Sequence, residues 1–278
     1  MPFHLRARLA DTPLGPLSNL PERVRVLGRS EGPRIRSIAH WLRHSREDTN
    51  FTYDLTALNR EQLVWFVADV ANAEVCVVRD FVAEVEQDAQ LRDVIKQGVQ
   101  SSKRWQRSDE EARYGCRIGW YALVRLLKPE LVVETGVDKG LGSCVIAAAL
   151  LRNTAEGNPG RLLAIDIDPT AGELVREPYD SVIDLEFSDS HSALRKLDRP
   201  IDFFLHDSDH SPQHERGELD LVMENIAPGG LVLSDNSHVT SAVSDFAEAT
   251  SRRYLFFREQ PANHWYPGGG IGAAFDSR

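Results

Sequence analysis

Long apolar runs are missing from this chain. The longest, "CVIAAALL" (Cys144–Leu151), is far short of the roughly 20 residues that a membrane-spanning helix needs. The opening stretch, "MPFHLRARLADTPLGPL", holds no apolar core of the kind that marks a secretory signal. Cysteine is scarce as well. Cys76, Cys116 and Cys144 are widely spaced with no C-x-x-C, which excludes a disulfide framework or a zinc-ribbon pattern and suits a reducing compartment. Basic residues are outnumbered, 32 Lys and Arg against 42 Asp and Glu, for a formal charge of −10 and a pI near 5.4. A nucleic-acid partner needs a basic face. These absences predict a soluble, cytoplasmic protein with neither a membrane nor a nucleic-acid partner.

What is present is enough apolar material for a core. At 278 residues and 42% hydrophobic, the chain can build one sizeable core with an appendage, or two modest domains. Its charge is uneven: residues 1–50 carry nine Arg against five Asp and Glu. Such a basic arm either docks on the acidic remainder or meets an acidic substrate, and docking is the simpler expectation. We divide the chain at residues 1–108, an irregular arm followed by a helical cap or dimerisation region, and 109–278, a ligand-binding domain. The arm is expected to hold one short helix around "SIAHWLRH". Helical spacing then runs through "LNREQLVWFVADVANAEVCVVRDFVAEV", with Asn59 and Gln62 as a capping box. A second helix is expected in "LRDVIKQGV" and a third in "YGCRIGWYALVRLLK", stopped by Pro129.

From Glu130 the pattern changes to short apolar segments: "LVVET", "RLLAID", "IDLEF", "IDFFLHD", "GLVLSD", "YLFFRE" and "GIGAAF". Five strands alternating with helices imply a parallel sheet with right-handed crossovers. The last two follow one another across "QPANHWYPGG", which predicts a terminal antiparallel pair. The expected class is α/β, a doubly wound seven-stranded sheet with a helical N-terminal extension.

The strand ends carry the polar chemistry. In "VVETGVDKGLGSCVIAAAL" a buried strand ends at Glu134, a loop with Gly136, Gly140 and Gly142 follows, and a helix opens near Ser143. Such a loop lets the backbone approach a nucleotide at the carboxyl end of a strand, or simply makes a tight turn. Its spacing differs from the dinucleotide fingerprint and lacks a P-loop Lys-Ser/Thr, which disfavours an NAD-dependent dehydrogenase. The next strand ends in Asp166, placed to accept both hydroxyls of a ribose, with Asp168 capping the following turn. Asp189 and Ser190 either meet an adenine edge or cap a helix.

These three sites together resemble the class I S-adenosylmethionine-dependent methyltransferases over about residues 110–278. That family has a seven-stranded sheet whose last two strands are antiparallel. The resemblance implies that Glu134, Gly136, Gly140, Gly142 and Ser143 face the methionine part of S-adenosylmethionine. It likewise implies that Asp166 holds the ribose, that Asp189 and Ser190 lie near the adenine, and that Asp207 borders the cofactor.

Asp207 and Asp235 end adjacent strands in "FFLHDSDHS" and "LSDNS", with Asn236 beside Asp235. Three oxygen donors converging there suit a hard cation such as Mg²⁺. This arrangement resembles the metal-dependent O-methyltransferases of the catechol, caffeoyl-CoA and antibiotic-sugar type. The resemblance implies Asp207, Asp235 and Asn236 as metal ligands. It implies His210, three places after Asp207, as the general base on a small hydroxylated substrate. Asp209 matches an extra acid of open role.

Alternatives stand beside this reading. His210 also suits a water-facing helix start, and His206 a packed strand residue. His210 and His214, four apart, also suit zinc. His238, His264, Trp265 and Tyr266 are possible pocket residues, and Tyr114, Trp120 and Tyr121 suit core packing best. The expected activity is O-methyl transfer assisted by Mg²⁺, in a homodimer. The alternatives are a metal-independent methyltransferase using His210 on oxygen, nitrogen or carboxylate, and a non-catalytic nucleoside-binding module.

Overall fold

A computed structural model describes residues 12–13, 15–103, 105–111 and 113–276. Chain contacts separate two compact units: the described residues through Ser45 with Ala262–Tyr266, and Arg46–Pro261 with the residues from Pro267 onward. Within the first unit, α1 (Leu20–His44) runs through Pro33 and buries none of its residues. Near its end Trp41 meets His264 and Trp265 edge-on, with ring centroids 5.7 and 6.1 Å apart. A single short helix was expected here. The weak apolar period hid a helix built from strong formers such as Leu, Arg and Glu.

The second unit begins with helices. The stretch expected to be one helix is two, α2 (Ala57–Ala71) and α3 (Val75–Gln87). Asn72 breaks it by taking the left-handed conformation, φ 49°, which Asn tolerates better than most residues. Thr56, rather than Asn59, caps α2 through the Asn59 amide (3.3 Å). Asn59 instead clamps the far end of the sheet, donating to Arg258 O (2.9 Å) and accepting from Gln260 N (2.7 Å). Helices α4 (Ala89–Ser101) and α5 (Arg117–Leu127) follow, and Lys128 ends α5 just before Pro129.

All seven expected strands form. They are β1 (Leu131–Thr135), β2 (Arg161–Asp166), β3 (Ile183–Phe187), β4 (Ile201–His206), β5 (Ile226–Ser234), β6 (Arg253–Arg258) and β7 (Gly270–Phe275). Between them lie α6 (Leu141–Ala155), α7 (Ser190–Leu194), α8 (Pro212–Asn225) and α9 (Ala242–Ala249). The spatial order is β3-β2-β1-β4-β5-β7-β6, parallel from β1 to β5, with β7 antiparallel to both neighbours.

Alternation along each strand sends neighbouring side chains to opposite faces. Val132, Phe203 and Leu205 pack with Trp120 and Ile146, while Val133, Phe204 and Val232 pack with Leu219, Val222 and Phe246. Both faces are covered, so β1 is buried along its whole length and needs an unbroken apolar run. No helix among the described residues is long and apolar enough to cross a membrane.

Candidate active site

The strand register aligns the polar ends. Thr135 pairs with His206 and with Ile165, and His206 pairs with Ser234. The ladder then continues one residue beyond the strands. Gly136 N donates to Ile165 O (2.9 Å), Asp207 N to Thr135 O (2.8 Å) and Asp235 N to His206 O (2.8 Å). Gly136, Asp207 and Asp235 therefore stand in a row where the strand order reverses on either side of β1, the place where α/β sheets bind ligands. A cleft of about 1470 Å³ opens over this row. Gly136 has φ +85°, and a Cβ on it would lie 2.0 Å from Asp207 O. Only glycine lets β1 and β4 approach this closely.

Asp166 tips β2 and borders the cleft. Its Oδ2 accepts from the amides of Val137 (2.8 Å) and Asp138 (3.1 Å), and its Oδ1 from Asp168 N (2.8 Å). The carboxylate thus holds the glycine loop in place while facing the cleft. Asp168 accepts from Thr170 N (2.8 Å) and makes the turn expected of it. Asp189 caps α7 by accepting from Ser192 N (2.9 Å), and the Ser192 side chain, then this amide, draw its carboxyl below the usual range. Asp189 and Ser190 also border the cleft, so the cap stands at its edge.

Glu134, Gly140, Gly142 and Ser143 lie beneath this surface and are not among the residues bordering the cleft. Glu134 is 1% exposed and accepts from Ser143 Oγ. Burial pushes its carboxyl up to about 7, against the pull of Ser143 and Arg117. A Cβ on Gly142 would meet Glu134 Oε1 at 2.7 Å and Trp120 at 2.8 Å. That glycine makes room for protein groups. Gly140, φ +91°, opens α6. Tyr114, Trp120 and Tyr121 are core residues.

At the ends of β4 and β5, single ligand atoms of Asp207, His210 and Asp235 lie within 4.8 Å of one another. Burial, then the facing Asp235, raises the Asp207 carboxyl well above its ordinary value, with Arg117 opposing. His210 Nε2 is 3.7 Å from Asp207 Oδ1. It accepts from Asn236 Nδ2 (3.1 Å), which also donates to Asp235 Oδ2 (3.0 Å). Burial, then the neighbouring His206, lowers the His210 pKa, so the ring is neutral at pH 7, with its proton on the buried Nδ1, which has no hydrogen-bond partner among the described residues. The two carboxylates are hard donors whose mutual repulsion a divalent cation would relieve, while Asn236 turns its Nδ2 toward Asp235 and His210.

The rest of "FFLHDSDHS" has other work. His206 is fully buried and bonds through Nδ1 to Glu218 Oε2 (2.7 Å). Asp209 accepts from Ser211 N (2.9 Å) and forms the turn into α8. His214 bonds to Glu218 Oε1 (2.9 Å) and Ser190 Oγ (3.2 Å). His210 and His214 therefore bond different partners. His238 is exposed; His264, Trp265 and Tyr266 belong to the first compact unit.

Two residues that the sequence reading passed over hold the site together. Glu218 on α8 also accepts from Thr135 Oγ1 (2.7 Å) and Ser208 Oγ (2.9 Å), binding β1, β4, the 207–210 loop and α8 to one buried carboxylate. Its i,i+4 spacing from His214 was the available signal. Arg117, which opens α5, is the cation set among these acids. Beyond it, Tyr53 donates to Glu259, whose carboxyl burial raises to about 7, and Cys116 lies 3.9 Å from Asp235 Oδ1.

Residues 133–237, the segment holding this row, match the family model described as a methyltransferase domain. This segment has the sequence character of a methyltransferase domain. Among solved structures, the O-methyltransferase TomG of Streptomyces achromogenes, in complex with SAM, is similar at 17% identity and TM-score 0.52. The match covers 67% of this chain and 90% of that one. An O-methyltransferase from Bacillus cereus in complex with SAH matches at 15% identity and TM-score 0.45, over 80% of this chain and 98% of that one. No curated protein matches the chain in sequence. At 17% identity the likeness to the Streptomyces structure speaks for the fold alone.

Proposed function

We propose that the protein is an O-methyltransferase acting on a hydroxyl of a small molecule, with a divalent cation such as Mg²⁺ held by Asp207, Asp235 and Asn236. The observation that carries this is the convergence of Asp207, His210 and Asp235 within 4.8 Å at adjacent strand ends, beside a cleft that Asp166, Asp189 and Ser190 also border. When bound, the sulfonium supplies an electrophilic methyl and the cation supplies Lewis acidity toward the acceptor oxygen.

The chain's own residues do the rest. Asp166 holds the ribose diol while anchoring the glycine loop, and Asp189 with Ser190 meets the adenine. Glu218 fixes the loop that carries Asp207 and His210, which supports positioning as the main source of rate. His210, neutral at pH 7, takes the hydroxyl proton at Nε2 once the Asn236 amide yields that lone pair. In this reading the N-terminal region covers the site or forms a dimer interface, and the acceptor belongs to secondary metabolism.

One observation favours a metal-free version: Arg117 already places a positive charge among the same acids. Transfer of labelled methyl from S-adenosylmethionine to a panel of hydroxyl compounds, with chelator and then with added Mg²⁺, separates the two. Loss on chelation and recovery with Mg²⁺ is expected. Full activity in chelator would leave His210 acting without a cation, and no transfer to any hydroxyl compound would count against the oxygen acceptor.

A further inference from the structure

Arg117 is an unusual residue in its surroundings. It borders the cleft, and its guanidinium lies 5.4 Å from the centroid of the Trp120 ring. Nε and Nη1 are buried and have no hydrogen-bond partner among the described residues. The guanidinium can accept a carboxylate along either of two edges, Nε with Nη2 or Nη1 with Nη2. Each edge includes one of the partnerless donors. A fork so placed, beside a cleft and with donors left unserved, is built for an acceptor that arrives with a ligand.

The surrounding charges narrow the choice. Asp207 and Asp235, at the strand ends, act on Arg117, as do Tyr53 and Cys116. A ligand bearing only negative charge would be repelled by those carboxylates. A carboxylate joined to a positive centre satisfies both, as does one entering beside a divalent cation. We propose that Arg117 is the carboxylate anchor of the cleft, taking the α-carboxylate of the cofactor's amino-acid end or a carboxylate on the methyl acceptor. The proposal rests on the methyltransferase reading above, and the ammonium-bearing cofactor end fits the charge pattern without further help.

Calorimetric titration tests it with two probes, S-adenosylhomocysteine and its decarboxylated analogue, on wild type, Arg117→Gln and Arg117→Lys. If the cofactor supplies the carboxylate, wild type prefers S-adenosylhomocysteine by roughly ten- to a hundredfold, the range expected for a charge-assisted hydrogen bond. Arg117→Gln erases that preference. Arg117→Lys keeps the charge without the fork, so it retains part of the preference, and it carries the test if the Gln variant fails to fold. If the acceptor supplies the carboxylate, the probe preference survives in Arg117→Gln. The variant then loses its advantage in kcat/KM for carboxylate-bearing hydroxyl compounds over the matching amides. Folded variants that keep every preference of the wild type would overturn the proposal alone. Wild type that binds neither probe would overturn the methyltransferase reading together with it.

Discussion

Replacing Glu218 with Gln tests how the loop bearing Asp207 and His210 is held. Four donors converge on the Glu218 carboxylate: Thr135 Oγ1, His206 Nδ1, Ser208 Oγ and His214 Nε2. Burial alone would raise its pKa, but the hydrogen bond and attraction of His206, then hydrogen bonds from Ser190 and Thr135, bring it from 4.5 down to about 2. A shift of that size corresponds to about 3 kcal/mol at pH 7. The Gln amide keeps one acceptor and turns two hydrogens toward groups that donate. The loss of one or two charge-assisted bonds, at about 1.5–3 kcal/mol each, gives the same order. Because the folded pKa is depressed, this stabilisation is complete above the unfolded value and disappears as pH falls from 4.5 toward 2. Urea unfolding of wild type and Glu218→Gln, followed by far-UV circular dichroism at several pH values, should show a gap of about 3 kcal/mol at pH 7 that narrows below pH 4.5. A gap under about 1 kcal/mol at pH 7, or one that stays constant into acid, would refute the hub.

Gly136→Ala places a Cβ 2.0 Å from Asp207 O at φ +85°. It should cost about 1–2 kcal/mol for the left-handed backbone alone, more for the collision, and weaken S-adenosylhomocysteine binding in calorimetry. Asp207→Ala should abolish cation-dependent transfer while cofactor affinity holds; unchanged turnover would remove Asp207 from the metal set. The lowered pKa of His210 puts the acid limb of kcat/KM below pH 6.5, since the neutral ring is the active form. His210→Gln should slow transfer by about 10²–10⁴-fold and flatten that limb.

The sheet was legible because its strands are short apolar runs set off by turns, and β1 and β4 are buried on both faces. The row of acids followed from the strand ends, since a parallel ladder fixes which residues emerge side by side. Helical breaks were less visible. Asn72 interrupts a continuous amphipathic pattern by backbone conformation alone, and α1 has no buried stripe to announce it. The glycine loop also meant more than its spacing suggested, because Gly142 yields space to Glu134 and Trp120. Arg117 and Glu218 were missed for one reason. Each sits on a helix where a charged residue normally faces water, and only the packed structure turns it inward.

The proposed cation site is tested most directly by titrating Mn²⁺ into the purified chain with S-adenosylhomocysteine present, reading the loss of free-ion signal by electron paramagnetic resonance. One Mn²⁺ bound per chain, displaced by Mg²⁺ and lost in both Asp207→Asn and Asp235→Asn, is the expected result. Wild type that leaves the free-ion signal unchanged, or variants that bind Mn²⁺ as wild type does, would contradict a metal-assisted site at the ends of β4 and β5.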